Sequence, residues 1–378
     1  MLEDTRYEVV KGRIFTKTFM IFTFFVALMV ILLGIRFFKG LGAVTNLSDG
    51  YPWGIWIAYD VVVGSALGCG GYALAILIYI LNKKEFSPLM RSALLTGALG
   101  YTMAGFSVII DLGRYWNTYG FFVPSRWNPS SVLFEVAVCI MAYTLVIWVE
   151  LTPAVAERTG WDRRKVEKVV MIAAVLGLIL PTLHQSSLGS IHLISLGKLH
   201  PLWHSGFLPL YFLSSVILMG YAVTSAESLL SSMYFGRPYE TPLLKKLTTY
   251  MVYIGFAWIL MRFLELLLWG KLPLVFKSGL YSVMFWIEIA LFLVPSYMLW
   301  KLRGELTPRK IFVYSIIYLF AGALYRFNVY LIGWNPGDNW VYFPSFMETL
   351  ITLGIISFEF LIYLAFVKTF PVLHAKEV

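Results

Sequence analysis

The amino-acid sequence predicts an all-α, polytopic membrane protein with about ten transmembrane helices. Of its 378 residues, 59% are apolar and only 13% are charged, and the mean hydropathy is +0.75. Soluble domains carry charge on about a quarter of their residues. One membrane crossing needs about 20 consecutive apolar residues, so ten crossings with short loops would use the whole chain and leave no room for a sizeable soluble domain.

Each apolar segment is assigned to a helix, because a backbone in lipid must satisfy its own hydrogen bonds and a β-barrel would show short segments of alternating polarity. The first segment follows Lys11, Arg13 and Lys17. It is too long for a cleaved signal peptide and is expected to insert as a helix. The predicted helices cover 17–38, 54–81, 91–115, 130–152, 166–188, 203–230, 246–269, 281–301, 309–333 and 345–369.

A short internal similarity predicts how these helices are grouped. The fourth helix begins with Ser131-Val-Leu-Phe134 and the eighth with Ser282-Val-Met-Phe285. Four helices separate the two strings, and internal repeats are common in membrane folds. We therefore expect one membrane domain over 1–378, with four-helix bundles at 54–188 and 203–333, the first helix at 17–38 and the last at 345–369.

The distribution of basic residues predicts the orientation. The two termini and the even-numbered loops hold 21 Lys and Arg residues, whereas the odd-numbered loops hold 7. Cytoplasmic loops carry the excess of basic residues, so both termini are predicted to be cytoplasmic. The net charge of +9 is explained by these loops, and nucleic acid is not expected as a partner.

Four consecutive helices bring polar side chains to one level near the outer face. Asp60 lies about six residues into the second helix, about 9 Å below its outer end at 1.5 Å per residue. The third helix carries Asp111 and Arg114 at its outer end, and the fourth carries Glu135 about five residues in. Such groups are costly in a bilayer and are functional candidates by default. Asp111 and Arg114 could instead form a structural pair, because three residues separate them on one helix face.

The fifth helix contributes His184 and Gln185, three and four residues after Pro181. A proline inside a helix removes a backbone hydrogen bond, and a broken polar segment is tolerated only where it faces protein or a cavity. Tyr101 is expected deeper in the same region. Further ionisable residues follow in the second half, and these are read either as structural pairs or as part of a proton path: Glu227, Arg262, Glu265, Glu288, Arg326 and Glu359.

The sequence argues against an intrinsic redox cofactor or a metal site. A membrane haem needs axial ligands on facing helices, and a pair made of His184 and His204 is conceivable but weakly supported. Cys69 and Cys139 cannot hold an iron–sulfur cluster alone, and both are read as small buried residues. The outer loops are rich in aromatic and turn residues, which indicates either an interfacial aromatic belt or a docking surface for an extracytoplasmic partner.

Several strings of the sequence resemble one family over nearly the full chain. The chain resembles the NrfD/polysulfide-reductase membrane subunits. Within them it is most similar to the HybB-type subunits of periplasmic nickel–iron hydrogenases, with the DsrP-type subunits as close relatives. The strings are Tyr51-Pro-Trp-Gly-Ile-Trp-Ile-Ala-Tyr-Asp60, Cys69-Gly-Gly71, Asp111-Leu-Gly-Arg-Tyr-Trp-Asn117, Ser131-Val-Leu-Phe-Glu-Val-Ala-Val-Cys139, Pro181-Thr-Leu-His-Gln-Ser-Ser-Leu-Gly189, His200-Pro-Leu-Trp203 and Tyr281-Ser-Val-Met-Phe-Trp-Ile-Glu288.

The resemblance implies a quinone-reactive anchor without its own haem or iron–sulfur cluster, in a prokaryotic cytoplasmic membrane. Electrons would pass between a quinone, by expectation menaquinone, and a periplasmic ferredoxin-like iron–sulfur subunit. Further catalytic or cytochrome subunits would complete a complex of the hydrogenase type or the DsrMKJOP type. Proton translocation is compatible with this function. Whether the chain itself acts as an enzyme is left open.

Site roles follow from the polar level and the resemblance together. His184, Tyr101, Asp60 and Gln185 are assigned to quinone binding, and Arg114 is assigned as a charge partner for a carboxylate. Proton transfer is assigned to Glu135, Asp111 and Glu227. Two alternatives remain, a b-type cytochrome subunit and a stand-alone secondary transporter.

Overall fold

A computed structural model describes residues 6–195 and 197–375. Within those residues ten helices are long and apolar enough to cross a membrane, which confirms the predicted fold class. In chain order, α1 to α10 are Lys17–Lys39, Trp56–Ile80, Lys84–Asp111, Val132–Thr159, Arg164–Ile194, Leu208–Phe235, Thr241–Leu268, Leu280–Lys301, Pro308–Ile332 and Phe346–Val367.

Local sequence signals determine several helix ends. The Ser345 hydroxyl accepts a hydrogen bond from the Glu348 backbone N–H, and the Glu348 carboxylate accepts one from the Ser345 N–H. This reciprocal capping satisfies two free N–H groups at the start of α10. The C-terminal ends of α4 and α6 are followed by Gly160 and Gly236 at φ of 74° and 64°, a left-handed conformation that favours glycine.

The predicted end of α3 at residue 115 was wrong. The helix stops at Asp111, Leu112 is extended, and a separate short helix covers Tyr115–Phe122. Arg114 therefore lies outside α3 and is exposed. It no longer shares a helix face with Asp111, and the structure records no ion pair between these two described residues.

Helix α2 lies at the centre, with 83% of its apolar window buried, compared with 17% for α1 and α5. Glycines allow this position. A Cβ atom on Gly68 would lie 3.0 Å from the Tyr101 ring of α3, and one on Gly220 of α6 would lie 2.7 Å from the Cys69 carbonyl oxygen of α2. Small residues permit close helix packing in membranes, so α3 and α6 both approach the backbone of α2.

The remaining helices pack around α2 in neighbouring sets. Helix α4 packs on α5, α7 packs on α8, and α6 contacts α2, α5, α7 and α9. Helices α1 and α10 pack on each other and share an apolar cluster with Trp56 of α2 and Met103 of α3. The division into two four-helix units with outer first and last helices remains a prediction.

Both termini lie on the same face of the bundle. Strand β1 (Tyr7–Glu8) pairs antiparallel with strand β2 (Leu373–His374), with Tyr7 opposite His374. Arg237, after α6, forms an ion pair with Glu8 at 2.9 Å, which ties the paired strands to the loop between α6 and α7. That this face is cytoplasmic remains a prediction from the basic residues.

Replacing Gly97 of α3 with alanine is expected to force α2 and α3 apart. A Cβ atom there would lie 2.5 Å from the Gly68 carbonyl oxygen and 2.5 Å from Cδ1 of Ile147. Overpacking costs about 1–3 kcal/mol, so Tm in detergent should fall. Gly105→Ala on the same helix is the matched control, because the nearest atom to its Cβ is 3.8 Å away. Equal Tm values for the two variants would contradict the close packing.

Candidate functional site

Three of the predicted quinone-binding residues meet in the interior, where α2, α3 and α5 come together. Tyr101, His184 and Gln185 have no exposed surface. Ser65 of α2 lies between the other two helices: its Oγ is 3.2 Å from His184 Nε2 and accepts a hydrogen bond from Gln185 Nε2 at 3.0 Å. We call Ser65, Cys69, Tyr101, His184 and Gln185 the central cluster.

Tyr101 links the central cluster to Cys69. Its hydroxyl accepts a hydrogen bond from Gln185 Nε2 at 3.5 Å and lies 3.2 Å from Cys69 Sγ. The thiol of Cys69 also donates to the Ser65 carbonyl at 3.2 Å. The sequence analysis interpreted Cys69 only as a small buried residue and did not identify Ser65. Single serine and cysteine residues are ordinary in an apolar helix, and neither belongs to a spacing pattern that indicates a site.

The central cluster keeps unused hydrogen-bonding capacity. Nδ1 of His184 is buried and has no hydrogen-bond partner. The ring of Tyr143 on α4 stands edge-on to Tyr101, with centroids 4.5 Å apart, and its hydroxyl is buried without a partner. Buried polar groups are normally hydrogen-bonded, so these atoms are available to a ligand or to water.

Arg326 of α9 brings a positive charge to the same place. Its Nη2 donates to Gln185 Oε1 at 3.4 Å, and its Nη1 donates to Ser215 Oγ of α6 at 3.1 Å. The side chain has no exposed surface. The sequence identifies Arg326 as an arginine inside a helix. It does not predict the contact with α5, because α5 and α9 are far apart in the chain.

Glu135 joins the site from its outer edge. Ser187 Oγ donates to Glu135 Oε1 at 2.8 Å, and Ser187 follows His184 by three residues, one helical turn closer to the predicted outer face. Glu135 lies in the first turn of its helix and is only partly buried. It therefore lies one helical turn from His184 through Ser187, at the partly exposed side of α4.

Asp60 points to a different part of the bundle. It lies in a π-helical segment, Trp56–Val61, and accepts a hydrogen bond from Thr352 Oγ1 of α10 at 3.2 Å. The structure thus joins Asp60 to α10 and shows no hydrogen bond between Asp60 and the central cluster. Glu359 follows Thr352 by seven residues, two helical turns further along α10.

Asp111 lies close to an arginine that the sequence analysis did not consider. Arg36 of α1 is buried, donates from Nε to the Ile110 carbonyl at 2.6 Å, and donates from Nη2 to the Leu112 carbonyl. Arg36 and Asp111 interact electrostatically, whereas Arg114 is exposed. A lone arginine in an apolar segment was the signal that could have identified Arg36.

Glu227 lies at the opposite end of the bundle from Glu135. It is 19 residues after the start of α6 at Leu208, about 28 Å along the helix at 1.5 Å per residue, and accepts a hydrogen bond from Tyr363 of α10. A cavity of about 190 Å³ connects Glu227 with Ser92, Arg237 and His374 near the paired termini. Glu227 is therefore separate from the central cluster.

A second buried polar group lies in α6 to α9. Arg262 Nη1 is 3.4 Å from Glu265 Oε2, as the structural reading of this pair predicts, and Arg262 Nε is 3.8 Å from Glu288 Oε1. Glu265 accepts a hydrogen bond from Tyr211 at 2.7 Å, and Glu288 accepts one from Asn328 at 2.6 Å. Removing one partner of a buried ion pair is strongly destabilising, because it leaves the other charge unpaired in the interior.

Both histidines of the haem alternative have a buried ring nitrogen. His184 packs against Tyr101, with ring centroids 5.7 Å apart, and against Ser65. His184 Nδ1 and His204 Nε2 are both buried without a hydrogen-bond partner. His192 is enclosed by aromatic rings, with Tyr330 at 4.5 Å and Trp53 at 5.3 Å. Burial lowers the pKa of His200, in the loop before α6.

Comparison with known proteins agrees with the resemblance inferred from the motifs. The family model described as polysulphide reductase, NrfD, matches residues 43–335. A relative in Escherichia coli strain K12, named probable Ni/Fe-hydrogenase 2 b-type cytochrome subunit, is 40% identical over 369 residues, which are 96% of this chain and 94% of the relative.

Two relatives come from Nitratidesulfovibrio vulgaris strain Hildenborough. The first is 32% identical over 361 residues and covers 91% of each chain. The second is named menaquinone reductase, integral membrane subunit. It is 31% identical over 184 residues, which are 45% of this chain and 41% of the relative.

Two tyrosine substitutions test the geometry of the central cluster. Tyr101→Phe removes a buried hydroxyl that contacts Cys69 and Gln185, so the variant should lose about 1–3 kcal/mol of stability. Tyr143→Phe removes a hydroxyl without a partner and should be neutral or slightly stabilising. Thermal unfolding of the purified chain in detergent measures both. A larger loss for Tyr143→Phe than for Tyr101→Phe would contradict the arrangement.

Proposed function

This chain belongs to the NrfD family of membrane subunits, and from that premise we propose that it is the quinone-reactive subunit of a respiratory oxidoreductase complex. It exchanges electrons between a quinone, menaquinone by preference, and an iron–sulfur subunit on the outer side of the prokaryotic cytoplasmic membrane. The observation that carries this proposal is the central cluster, in which His184 Nδ1 is buried and unpartnered beside the hydroxyl and amide groups of Tyr101 and Gln185.

The donors of the central cluster suit a quinone. Each quinone carbonyl accepts hydrogen bonds, and its reduction adds two electrons and two protons. A neutral imidazole donates from one ring nitrogen and accepts on the other. His184 would donate to one carbonyl and exchange its proton there, while Gln185 and Tyr101 orient the ring.

The lipid-facing side of α4 and α5 supplies the entrance. His184 has no exposed surface, so a quinone head reaches it only after neighbouring side chains move apart. Glu135 is partly exposed at this side of the bundle and accepts a hydrogen bond from Ser187 of α5. A quinone that enters from the lipid between α4 and α5 would therefore pass these two residues. Glu135 would thus be the first carboxylate to exchange a proton with a bound quinol.

The exposed aromatic side chains of the outer loops support a partner on that face. Phe122 is 78% exposed and Phe343 is 79% exposed, and Trp116, Trp127 and Trp340 are also exposed. Exposed apolar patches indicate interaction sites. An iron–sulfur subunit docked there would lie on the same side as Glu135 and the outer edge of the central cluster. The names of the relatives, a hydrogenase subunit and a menaquinone reductase subunit, are consistent with such complexes.

The other assigned carboxylates lie apart from the central cluster. Asp60 would act in proton transfer together with Glu359 on α10, because its hydrogen bond to Thr352 directs it away from the central cluster. Glu227 would exchange protons through the cavity at the paired termini. Asp111 would be held by Arg36 in preference to the exposed Arg114.

Substitution of His184 with alanine and of Glu135 with glutamine is expected to abolish quinone-coupled turnover in the assembled complex. General acid–base groups contribute on the order of 100-fold or more, so the rate with a soluble naphthoquinone should fall by about that factor. Ser186→Ala is the matched control, because its hydroxyl donates only to carbonyl groups of its own helix. Wild-type turnover in both site variants, with normal assembly, would refute the site.

A b-type cytochrome is the second candidate, and the name of the Escherichia coli relative favours it. The test is a gentle purification of the tagged chain from its host, followed by a reduced-minus-oxidised absorbance spectrum and identification of the proteins that copurify. A haem band that disappears in His184→Ala would replace the quinone role of His184 with a ligand role. A chain that purifies alone would support the transporter alternative.

A further inference from the structure

Glu150 is a second carboxylate on the same face of α4 as Glu135, and the proposed function does not use it. The residues Glu135, Cys139, Tyr143 and Glu150 follow one another at spacings of four, four and seven, so they share one side of the helix. Glu150 lies about 22 Å below Glu135 along the axis at 1.5 Å per residue. It is therefore near the inner end of the span while Glu135 is near the outer end.

A glycine of α5 makes room for the Glu150 carboxyl. A Cβ atom on Gly177 would lie 2.8 Å from Glu150 Oε2 and 3.0 Å from Oε1, so any larger residue would displace the carboxyl. Pro181 lies four residues later in the same helix and has no N–H group, which leaves the Gly177 carbonyl without its helical donor. The carboxyl thus lies against the backbone of α5 at Gly177, at a turn where one helical hydrogen bond is missing.

The side chains above Glu150 lead to the central cluster. Tyr143 is two turns away on the same side of α4. Its buried hydroxyl has no hydrogen-bond partner, and its ring contacts Tyr101, whose ring in turn faces His184. Tyr79 lies near the end of α2 at the predicted inner side and is 39% exposed. The order from the inner surface is therefore Tyr79, Glu150, Tyr143, Tyr101 and His184.

We propose that Glu150 carries protons between the inner aqueous face and the central cluster. Gly177 leaves the space in which the Glu150 carboxyl lies, and Tyr143 is the next group on the route towards His184. This inference rests on the proposed quinone function. Reduction of a bound quinone takes two electrons from the iron–sulfur partner and two protons. For each proton delivered by this route, Tyr143 gives its proton towards His184 and receives one from Glu150, so the phenol stays neutral and Glu150 is protonated again from the inner side. Quinol oxidation runs the same steps in reverse.

The test uses the whole complex reconstituted in liposomes, with a soluble naphthoquinone as acceptor. Glu150→Gln should lower turnover and the proton uptake from the inner side by about 100-fold, with assembly unchanged. Glu157→Gln is the matched control. Glu157 lies seven residues further along the same helix, away from Gly177, and forms an ion pair with Arg91 at 2.5 Å. Its turnover and proton uptake should equal those of the wild type.

An infrared difference spectrum between oxidised and reduced quinone gives a second readout. The band of a protonated carboxyl that responds to quinone reduction should be lost in Glu150→Gln and retained in Glu157→Gln. Gly177→Ala should shift that band, since the carboxyl has to move. Tyr143→Phe should reduce proton uptake as Glu150→Gln does while the carboxyl band remains.

The outcomes separate this inference from the proposed function. If His184→Ala is inactive while Glu150→Gln keeps wild-type proton uptake and the same infrared band, the proton route is refuted and the quinone site stands. If the complex with His184→Ala reduces the quinone at the wild-type rate, the proposed function itself is refuted. If Glu150→Gln does not assemble, the infrared and proton-uptake results for Tyr143→Phe and Gly177→Ala decide the question.

Discussion

Polar groups that enter the bilayer must find their partners inside the protein, and the position of α2 follows from this constraint. Lipid offers no hydrogen bonds, so Ser65, the thiol of Cys69 and the side chains that reach them have to meet in the interior. Gly68 on α2 and Gly97 and Gly220 on its neighbours remove the side chains that would hold α3 and α6 away. The central cluster exists because three helices can approach one another this closely.

The same constraint explains why Arg326 of α9 reaches α5 and α6. A guanidinium cannot lose its charge in a protein, and this one has no exposed surface. Its Nη1 donates to Ser215 of α6 and to the Gly322 carbonyl of its own helix, and its Nη2 donates to Gln185 of α5 and to the Phe212 carbonyl, whereas its buried Nε has no partner. The charge thereby lies one hydrogen bond away from the central cluster, and a fixed positive charge there would favour the extra electron density of a reduced quinone.

The sequence predicts the ten helices from apolar length, but it does not predict which neighbours a side chain meets inside the bundle. Glu135 was expected at one level with His184, and it accepts a hydrogen bond from Ser187, one turn from His184 on α5. Asp60 was expected at that level too, but it lies in a π-helical segment and accepts its hydrogen bond from Thr352 of α10. Arg36 was missed because it lies at a helix end, where basic residues are ordinarily attributed to the interface.

Two carboxylates on one face of α4 define two proposed proton routes to the central cluster. Glu135 accepts a hydrogen bond from Ser187 of α5 near the predicted outer end, and Glu150 lies against Gly177 near the predicted inner end. A phenol keeps its proton at neutral pH, so Tyr101 and Tyr143 could pass a proton only while they receive another. Protons taken from Glu135 would leave the charge balance across the membrane unchanged if the electrons also entered from the outer side. Protons taken from Glu150 would move charge across most of the membrane for each electron, so the choice between these two residues would determine whether the proposed quinone chemistry at His184 stores energy.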